Sequence, residues 1–328
     1  MKRRARFLNF QNFGLIIILI VLLILFWSIN RRFLTFENIK NMLLSISVIG
    51  IVAVPMTLLI ISGGIDLSVG ALMGFSSCLV AAFITKLGIN PVLAVILTLI
   101  AGTAVGFVNG LIVTKIKVNA FIATIGMLSI LQGSALIMTS NKGQVSTFSG
   151  SIGIENKSFS FIGLGEVFKI PVQVIILIVF FIIGYIILNH TQFGRKVYAT
   201  GASEKVAILS GINVDRTRII NFMFTSFAAA VGGIILASQF RAGAQRIGSD
   251  YMLLIITAVI LGGTAFTGGI GTMQGVLLGV VIMGVLRYGM DFQGIGDYYK
   301  QLSNGALLLI AVGAGILRDR LLGFRTRE

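Results

Sequence analysis

Residues 87–114, LGINPVLAVILTLIAGTAVGFVNGLIVT, decide the fold class of this chain, because they carry no charge and are long enough to cross a bilayer. A transmembrane α-helix needs about 20 consecutive, mostly apolar residues. Asn90 and Pro91 mark the start of the helix, since an asparagine cap followed by proline at the first helical position favours helix initiation. The stretch therefore predicts a membrane-spanning helix.

The same pattern continues through all 328 residues, of which 56% are hydrophobic and 11% are charged. Soluble domains carry about 25% charged residues, and a membrane β-barrel has short alternating segments instead of long apolar runs. The other charge-free stretches are 7–30, 41–65, 67–85, 118–141, 170–189, 219–240, 251–286 and 301–317. Residues 251–286 are too long for one helix and rich in glycine, so we expect two helices divided near 266–271. The sequence predicts an all-α polytopic membrane protein of about ten spans, with 1–328 as a single transmembrane domain.

The positions of the basic residues predict the orientation of these spans. The net charge of +15 comes from residues between apolar runs, which fits membrane topology and not nucleic-acid binding. With both termini in the cytoplasm, 15 of the 26 Lys and Arg residues lie on that side. The first apolar run, which ends at Asn30, is too long for a signal peptide, so we interpret it as a retained span. The long connecting segments are then an external loop at 142–169, expected to form a small cap, and a cytoplasmic loop at 190–218.

The cytoplasmic loop 190–218 contains the pattern of a short helix. Ser203 can cap this helix and Gly211 can end it. The residues between them are charged and apolar, as in an amphipathic helix: Glu204, Lys205, Val206, Ala207 and Leu209. Two turns of helix are marginally stable alone in water, so we expect this one to dock on a partner or on the membrane surface. An ordinary linker between spans is the alternative.

The motif GGIDLSVG at 63–70 places Asp66 between two apolar runs. An ionisable group at membrane depth is costly, so Asp66 is a candidate functional residue. The paired glycines before it can break a helix and expose backbone polar groups, which are tolerated beside protein or a water-filled path. The alternative is that Asp66 lies at the membrane surface and caps the next helix by accepting from N–H groups near Ser68 and Val69.

A second glycine-rich motif, GGIGTMQG at 268–275, repeats the G-G-I-x-x-x-x-G spacing of 63–70. Glycine-interrupted segments in the two halves of a transporter point to its pathway, although small residues also permit close helix packing. The glycines of both motifs are predicted to be structural, and they are Gly63, Gly64, Gly70, Gly268, Gly269 and Gly275.

Polar side chains within or next to the apolar runs are candidates for a solute path. The candidates are Asp66, Ser68, Asn109, Thr124, Gln132, Thr257 and Thr264. They can hydrogen-bond a hydroxylated solute, and hydrogen bonds between helices are the alternative for each of them. Because Asp66 alone is charged, the set favours a neutral solute and disfavours proton coupling, which usually uses several buried ionisable groups.

The sequence lacks the residues that several classes of enzyme and cofactor-binding protein require. There is no G-x-x-x-x-G-K-[ST] phosphate loop and no H-E-x-x-H zinc motif. The single histidine, His190, disfavours most hydrolase schemes, and Asp66 alone cannot supply an intramembrane aspartyl pair. The one cysteine, Cys78, permits no disulfide within the chain. We therefore expect no enzyme activity, no metal site and no cofactor bound by this chain, so that the energy for transport comes from another protein.

Four stretches resemble the permease subunits of bacterial ABC importers for ribose, other pentoses, rhamnose and autoinducer-2. They are PMTLLIISGGIDLSVG (55–70), GFVNGLIVTKIKVNAFIATIG (106–126), TQFGRKVYATGASEKVAILSGI (191–212) and ITAVILGGTAFTGGIGTMQG (256–275). The resemblance covers essentially the whole chain, in order. It implies an inner-membrane pore formed with a second permease, which is either another copy or a homologue. It also implies two cytoplasmic ATPases that hold ATP and Mg²⁺, and a periplasmic or lipid-anchored protein that delivers the sugar.

In this family the ATPases dock on the loop after the sixth span. The resemblance thus assigns a coupling helix to Ser203, Glu204, Lys205, Val206, Ala207 and Ser210, with Gly211 at its end. Ribose-type permeases often have Asn and Ala-Ala in this helix, whereas the present chain is closer to the autoinducer-2 or rhamnose branch, so the sugar stays open. A nucleoside permease of the same superfamily and a stand-alone secondary transporter are the alternative functions.

Overall fold

The computed structural model describes residues 2–140 and 150–321, with side chains described over 13–140 and 150–313. Within these ranges the chain is mostly helical, as expected where backbone polar groups must be satisfied inside a bilayer. The helices are α1 Lys2–Ile29, α2 Phe36–Ile61, α3 Val69–Thr85, α4 Pro91–Thr114, α5 Ala120–Thr139, α6 Lys157–Leu164, α7 Val172–His190, α8 Gln192–Ala202, α9 Glu204–Leu209, α10 Val214–Phe240, α11 Tyr251–Leu261, α12 Met273–Phe292 and α13 Asp297–Leu321. A 3-10 turn, Arg31–Leu34, joins α1 to α2, and the short strands are β1 Ser151–Gly153, β2 Glu166–Val167, β3 Ile170–Pro171 and β4 Ala242–Ala244.

The lengths of these helices confirm a polytopic helical membrane protein. Among the described residues, six helices are long and apolar enough to cross a membrane: α2, α4, α5, α7, α10 and α12. Shorter apolar helices cover Phe13–Ile29, Val69–Thr85 and Tyr251–Leu261. The predicted break inside 251–286 is confirmed, because α11 ends at Leu261 and α12 begins at Met273. The total of ten spans and the cytoplasmic position of both termini stay predictions.

Residues 190–218, predicted to form a cytoplasmic loop, are largely helical. Helix α8 fills the first part of this segment, capped by Thr191, whose Oγ1 accepts from the Gly194 N–H at 3.2 Å. Helix α10 already begins at Val214, because the Asn213 side chain accepts from the Arg216 N–H at 2.9 Å. Charge alone predicted a loop here, but charged residues are equally stable on helices that extend beyond the bilayer into water.

The described part of the predicted external loop forms a small cap at the C-terminal end of α10. Residues 141–149 of the predicted loop lie outside the described residues. Strand β1 pairs antiparallel with β4, with Ile152 opposite Gly243. Helix α6 is fixed to α10 by the buried Ser238, whose Oγ accepts from the Gly163 N–H at 2.8 Å and donates to the Phe159 carbonyl at 2.7 Å.

Helix α10 lies at the centre of the fold, against α2, α3 and α4. Lipid tails are as apolar as leucine, so helix association in a membrane relies on close van der Waals contact between small residues. Helix α4 presents such a stripe, Gly102, Gly106 and Gly110, at every fourth position. A Cβ added at Gly106 would lie 2.5 Å from the Phe222 carbonyl oxygen. Glycine therefore sets how closely α4 approaches α10.

After α10 the chain does not continue as a helix but runs back along α3. The Ser77 hydroxyl donates to the Ala244 carbonyl at 3.1 Å and accepts from the Ala244 N–H at 3.3 Å. Further along, a Cβ at Gly70 would lie 2.8 Å from the Gly248 carbonyl oxygen. Residues 242–250 thus form an extended segment against α3 before the short helix α11 begins.

Candidate coupling and translocation site

Helix α2 ends in a chain reversal that is built by glycine. The Gly63 N–H donates to the Ile60 carbonyl at 2.9 Å and the Gly64 N–H donates to the Leu59 carbonyl at 3.0 Å. Gly63 has a φ of 81°, in the left-handed region. This is the Schellman pattern, which satisfies the last carbonyls of a helix with a glycine just past its end.

Asp66 lies inside this reversal and is fully buried. Its Oδ1 accepts from the Ser68 N–H at 2.8 Å and from the Ser68 hydroxyl at 2.5 Å. Asn109 of α4 donates from Nδ2 to the same hydroxyl at 3.1 Å. The bond to the Ser68 N–H that the capping interpretation predicted is present, and packing against α4 and α10 removes the carboxylate from solvent. The depth of Asp66 in the membrane stays a prediction.

The second reversal, residues 262–272 between α11 and α12, begins with the same motif. The Gly263 N–H donates to the Ile260 carbonyl at 2.8 Å and the Thr264 N–H to the Val259 carbonyl at 3.3 Å. Gly263 has a φ of 87°. The structural counterpart of Gly63 is thus Gly263 and not Gly268, so the spacing match between 63–70 and 268–275 does not identify equivalent positions.

Each glycine singled out in the two motifs has a geometric reason to be glycine. Gly268 and Gly269 have φ values of 85° and 73°. In the first motif, Gly63 has the positive φ described above, and Gly70 lies in close contact with the Gly248 backbone. A Cβ at Gly64 would lie 2.7 Å from Leu59 Cδ1, and one at Gly275 would lie 2.1 Å from the Gly262 carbonyl oxygen. These positions therefore combine tight turns with close backbone contact.

The two reversals meet each other and the end of α8 at one point. The Gly269 N–H donates to the Ile61 carbonyl at 2.8 Å, which joins the second reversal to the end of α2. Gly201 of α8 lies directly on this bond, since an added Cβ would be 1.7 Å from the Ile61 oxygen and 2.5 Å from the Gly269 nitrogen. In addition, the Tyr198 hydroxyl donates to the Gly271 carbonyl at 2.7 Å. Helix α8 therefore rests on both reversals through backbone contacts.

Helix α9 follows directly and has the predicted extent. The Ser203 Oγ accepts from the Val206 N–H at 3.4 Å, and Gly211, just beyond the helix, has a φ of 77°. Ala207 faces inward and is buried. The exposed apolar side chains are Val206, Ile208 and Leu209, at 60%, 57% and 88% exposure. Ile208 was missed by the sequence interpretation, although its apolar character in a polar loop was a usable signal.

Arg218 of α10 connects α9 to the first reversal. Its Nη1 lies 2.9 Å from Oε2 of Glu204, and its Nε donates to the Ser62 carbonyl at 3.3 Å. The neighbouring Asn221 donates from Nδ2 to the Ser62 hydroxyl at 3.0 Å. Glu204 therefore faces its own chain, a contact that no spacing in the sequence could indicate. Lys205 is exposed.

The predicted path residues do not converge on one cavity. Asp66, Ser68 and Asn109 lie together, as described above. Thr124 is buried and donates to the Ala120 carbonyl of its own helix at 2.7 Å, whereas Gln132 is half-buried. Thr257 and Thr264 are buried in or after α11, and no hydrogen bond to either hydroxyl is found among the described residues. Their role in a path stays a prediction.

Metal ligands are not gathered in the described part of the chain. There, no group of three or more His, Cys, Asp and Glu side chains is arranged to hold a metal ion. Of two described cavities, one of about 420 Å³ is an apolar groove between α4 and α10, lined by residues such as Ile100, Phe107 and Phe227. The other, of about 310 Å³, includes Asp250 and Arg287. None of the predicted path residues lines either cavity.

The chain matches the family described as "Branched-chain amino acid transport system / permease component" over residues 38–312. It is 39% identical over 302 residues to the ribose import permease protein RbsC of Bacillus subtilis (strain 168), which covers 92% of each chain. The ribose import permease protein RbsC of Escherichia coli (strain K12) is 36% identical over 297 residues, or 90% of this chain and 91% of the relative.

A third relative carries a different solute in its name. The autoinducer 2 import system permease protein LsrD of Escherichia coli (strain SMS-3-5 / SECEC) is 32% identical over 296 residues, which cover 90% of this chain and 88% of the relative. No solved structure matches the chain. Together with the several apolar helices, these similarities show that the chain is a multi-pass bacterial inner-membrane protein and belongs to the family of ABC importer permeases that includes the ribose and autoinducer-2 permeases.

Proposed function

We propose that this chain is the membrane-spanning permease subunit of an ATP-driven, binding-protein-dependent importer for a small neutral sugar. The observation that carries the proposal is how α8 and α9 pack against the rest of the chain. Their outer surface is apolar and exposed at Leu209, whereas their inner surface touches both glycine-built reversals through Gly201 and Tyr198. An apolar tip outside the bilayer fits a protein partner, since exposed apolar patches with polar rims mark interaction sites.

The proposed mechanism transmits movement from this tip to the helices. A cytoplasmic ATPase that binds α9 moves α8 together with α9, because Ser203 alone separates the two helices. Gly201 touches the Ile61–Gly269 hydrogen bond without any flexible side chain between them, so displacement of α8 displaces both reversals. Packed interfaces of this kind switch between discrete arrangements and do not deform continuously. Alternating access then follows from rearrangement of α2, α3, α11 and α12 around the reversals.

The partners follow from the same proposal. ATP and Mg²⁺ bind to the separate ATPase subunit, so the permease does no covalent chemistry. A periplasmic or lipid-anchored binding protein delivers the sugar, and a second permease, either identical or homologous, completes the pore. Ribose and autoinducer-2 are the solutes in the names of the relatives, whereas rhamnose and another pentose fit the same chemistry. A nucleoside is the alternative solute.

Replacement of Leu209 by arginine tests the docking surface. We expect L209R to lose both ATPase co-purification and sugar uptake in the reconstituted complex, because a charge replaces the apolar side chain at the centre of the contact. Phe168→Arg is the matched control, since Phe168 is 95% exposed on the external segment. It should retain the ATPase. Normal ATPase co-purification by L209R would overturn the docking assignment.

A further inference from the structure

A two-residue hairpin with an exposed phenylalanine at its tip lies directly before α7. Strands β2 and β3 pair with Val167 opposite Ile170, which leaves Phe168 and Lys169 as the two turn residues. Both have positive φ values, 52° and 65°, as in a type I′ turn. Asparagine and glycine favour this conformation, whereas a bulky side chain is strained in it. Phe168 is 95% exposed, so packing within the chain does not account for the strain, and strained backbone is concentrated at functional sites.

The base of the hairpin is fixed to the rest of the chain. The Gly165 carbonyl accepts from the Val172 N–H at 3.0 Å, which ties the hairpin to the first residue of α7. Glu166 of β2 forms an ion pair with Lys40 of α2. These contacts join the hairpin to two different membrane helices, so the fold determines where the tip of the hairpin lies.

Exposed apolar side chains continue from the tip onto α6. Phe161 and Leu164 are three residues apart and therefore lie on the same side of this helix. The Phe161 ring packs on the base of the hairpin, since a Cβ added at Gly165 would lie 2.4 Å from its Cδ2. Within the described ranges, no ion pair with Lys169 is found. The resulting hairpin surface consists of Phe161, Leu164, Val167, Phe168 and Ile170, with Lys169 beside them.

The length of α7 places the hairpin surface at the edge of the hydrocarbon core. Helix α7, Val172–His190, has 19 residues and is about 28 Å long at 1.5 Å per residue. The hydrocarbon core is about 30 Å thick, so the whole helix is needed to cross it. Val172 therefore lies at the boundary, and the hairpin follows immediately outside. Exposed apolar side chains such as Ile178 and Ile182 continue along α7.

The connection between α1 and α2 indicates the same membrane level. The ion pair between Glu166 and Lys40 brings the first turns of α2 to the hairpin. Trp27, in the last turn of α1, lies beneath the Arg31 guanidinium, 4.4 Å from the ring centre. Tryptophan is enriched where membrane and water meet. Phe36, the first residue of α2, is exposed as well. The ends of three helices, each next to an exposed aromatic side chain, thus lie at one face of the bundle.

We propose that the β2–β3 hairpin is a membrane anchor, in which Phe168 inserts into the boundary between lipid headgroups and acyl chains. Transfer of an apolar ring from water into this boundary is favourable, and it offsets the strain of the turn. Lys169 can extend its apolar stem along the ring and place its amine among the lipid phosphates. The bilayer is the occupant because the hairpin surface continues into the exposed side of α7. This inference does not depend on the solute that is transported.

Tryptophan fluorescence of the full-length permease in lipid nanodiscs tests the insertion. Trp27 is the single tryptophan of the chain, so W27F provides a background without native tryptophan. In that background we expect F168W emission to fall about twofold when the lipid carries bromine on the upper part of its acyl chains, since interfacial side chains reach this depth. Glu155→Trp, at a charged and exposed position before α6, is the matched control and should keep its emission.

The emission of F168W also distinguishes the bilayer from a protein partner. Unquenched emission at the wavelength of tryptophan in water would show that the tip faces water, and it would overturn the proposal. Blue-shifted emission without quenching would assign the hairpin surface to a contact between proteins, which overturns it as well. Equal quenching of E155W would show that the hairpin has no special position.

A second reporter keeps the test decisive if F168W folds poorly. Phe161→Trp, on the same hairpin surface, should also be quenched in the W27F background. Phe168→Asn with Lys169→Gly then removes the anchor but supplies the pair that a type I′ turn prefers, so the hairpin should persist. We expect this double substitution to reduce the quenching of F161W by about half, because the hairpin surface is then held less deeply. Unchanged quenching of F161W would show that Phe168 is not the anchor.

Discussion

Replacement of Arg218 by glutamine should uncouple ATP hydrolysis from sugar movement without releasing the ATPase. Arg218 is the side chain that joins α9, through Glu204 at 2.9 Å, to the first reversal, through the Ser62 carbonyl at 3.3 Å. Glutamine keeps much of the length of the side chain but loses its charge. The apolar surface of α9 is unchanged in R218Q, so docking of the ATPase should persist.

The size of the effect follows from the burial of the pair. Arg218 is 18% exposed, but Glu204 is 44% exposed, so solvent screens the ion pair. Its contribution to stability is therefore near the upper limit for surface ion pairs, about 1 kcal/mol. That energy corresponds to about fivefold in the equilibrium between two arrangements of the reversal. A double-mutant cycle with Glu204→Gln should return a coupling energy of similar size.

The assay compares sugar uptake with ATP hydrolysis in the same proteoliposomes. For R218Q we expect uptake per ATP hydrolysed to fall about fivefold, with ATPase co-purification as in the wild type. Arg216→Gln is the matched control, since Arg216 is exposed on the same turn of α10. An unchanged ratio in R218Q, or an equal fall in R216Q, would refute the role of Arg218 as the connection.

Substitutions at two positions test the geometry of the reversals. Gly201→Ala should prevent stable assembly of the permease, because its Cβ would lie 1.7 Å from the Ile61 oxygen. Gly211→Ala, the control, meets no atom within 4 Å and should cost only about 1 kcal/mol of backbone strain. Yield and thermal unfolding of the purified protein measure both effects, and a normal yield of G201A would contradict the contact. Asp66→Asn keeps an oxygen that accepts from Ser68 and should retain uptake within about twofold. Asp66→Ala leaves the Ser68 N–H unsatisfied and should lower the free energy of unfolding by about 1–3 kcal/mol. A large loss of uptake by D66N in a normally stable protein would instead assign the charge to transport.

For Asp66, some features could be predicted from the sequence and others could not. Its isolation between apolar runs identified it as unusual, and the capping interaction with Ser68 followed from local spacing. Its burial could not be predicted, because burial depends on Asn109 of α4 and on the approach of α10. Such contacts join residues far apart in the chain, and one sequence does not contain their register.

The charged residues of the segment 190–218 give a second case. Spacing predicted a short helix between Ser203 and Gly211, because capping and helix termination are local interactions. It also grouped Glu204 with Lys205 as docking charges, whereas Glu204 pairs with Arg218 of its own chain. Reversal of Glu204 would therefore disturb an internal contact as well as any docking surface, which makes Leu209 the cleaner probe.

The sequence by itself determined that this chain crosses a membrane as helices, and where many of those helices begin or end. Hydrophobic length and local capping carry that information, since each depends on neighbouring residues only. Tertiary structure decided that the two reversals meet at the Ile61–Gly269 hydrogen bond under Gly201, and that 242–250 folds back along α3. In a bilayer these arrangements depend on close packing between distant small residues, and glycine in a sequence does not say which backbone will approach it.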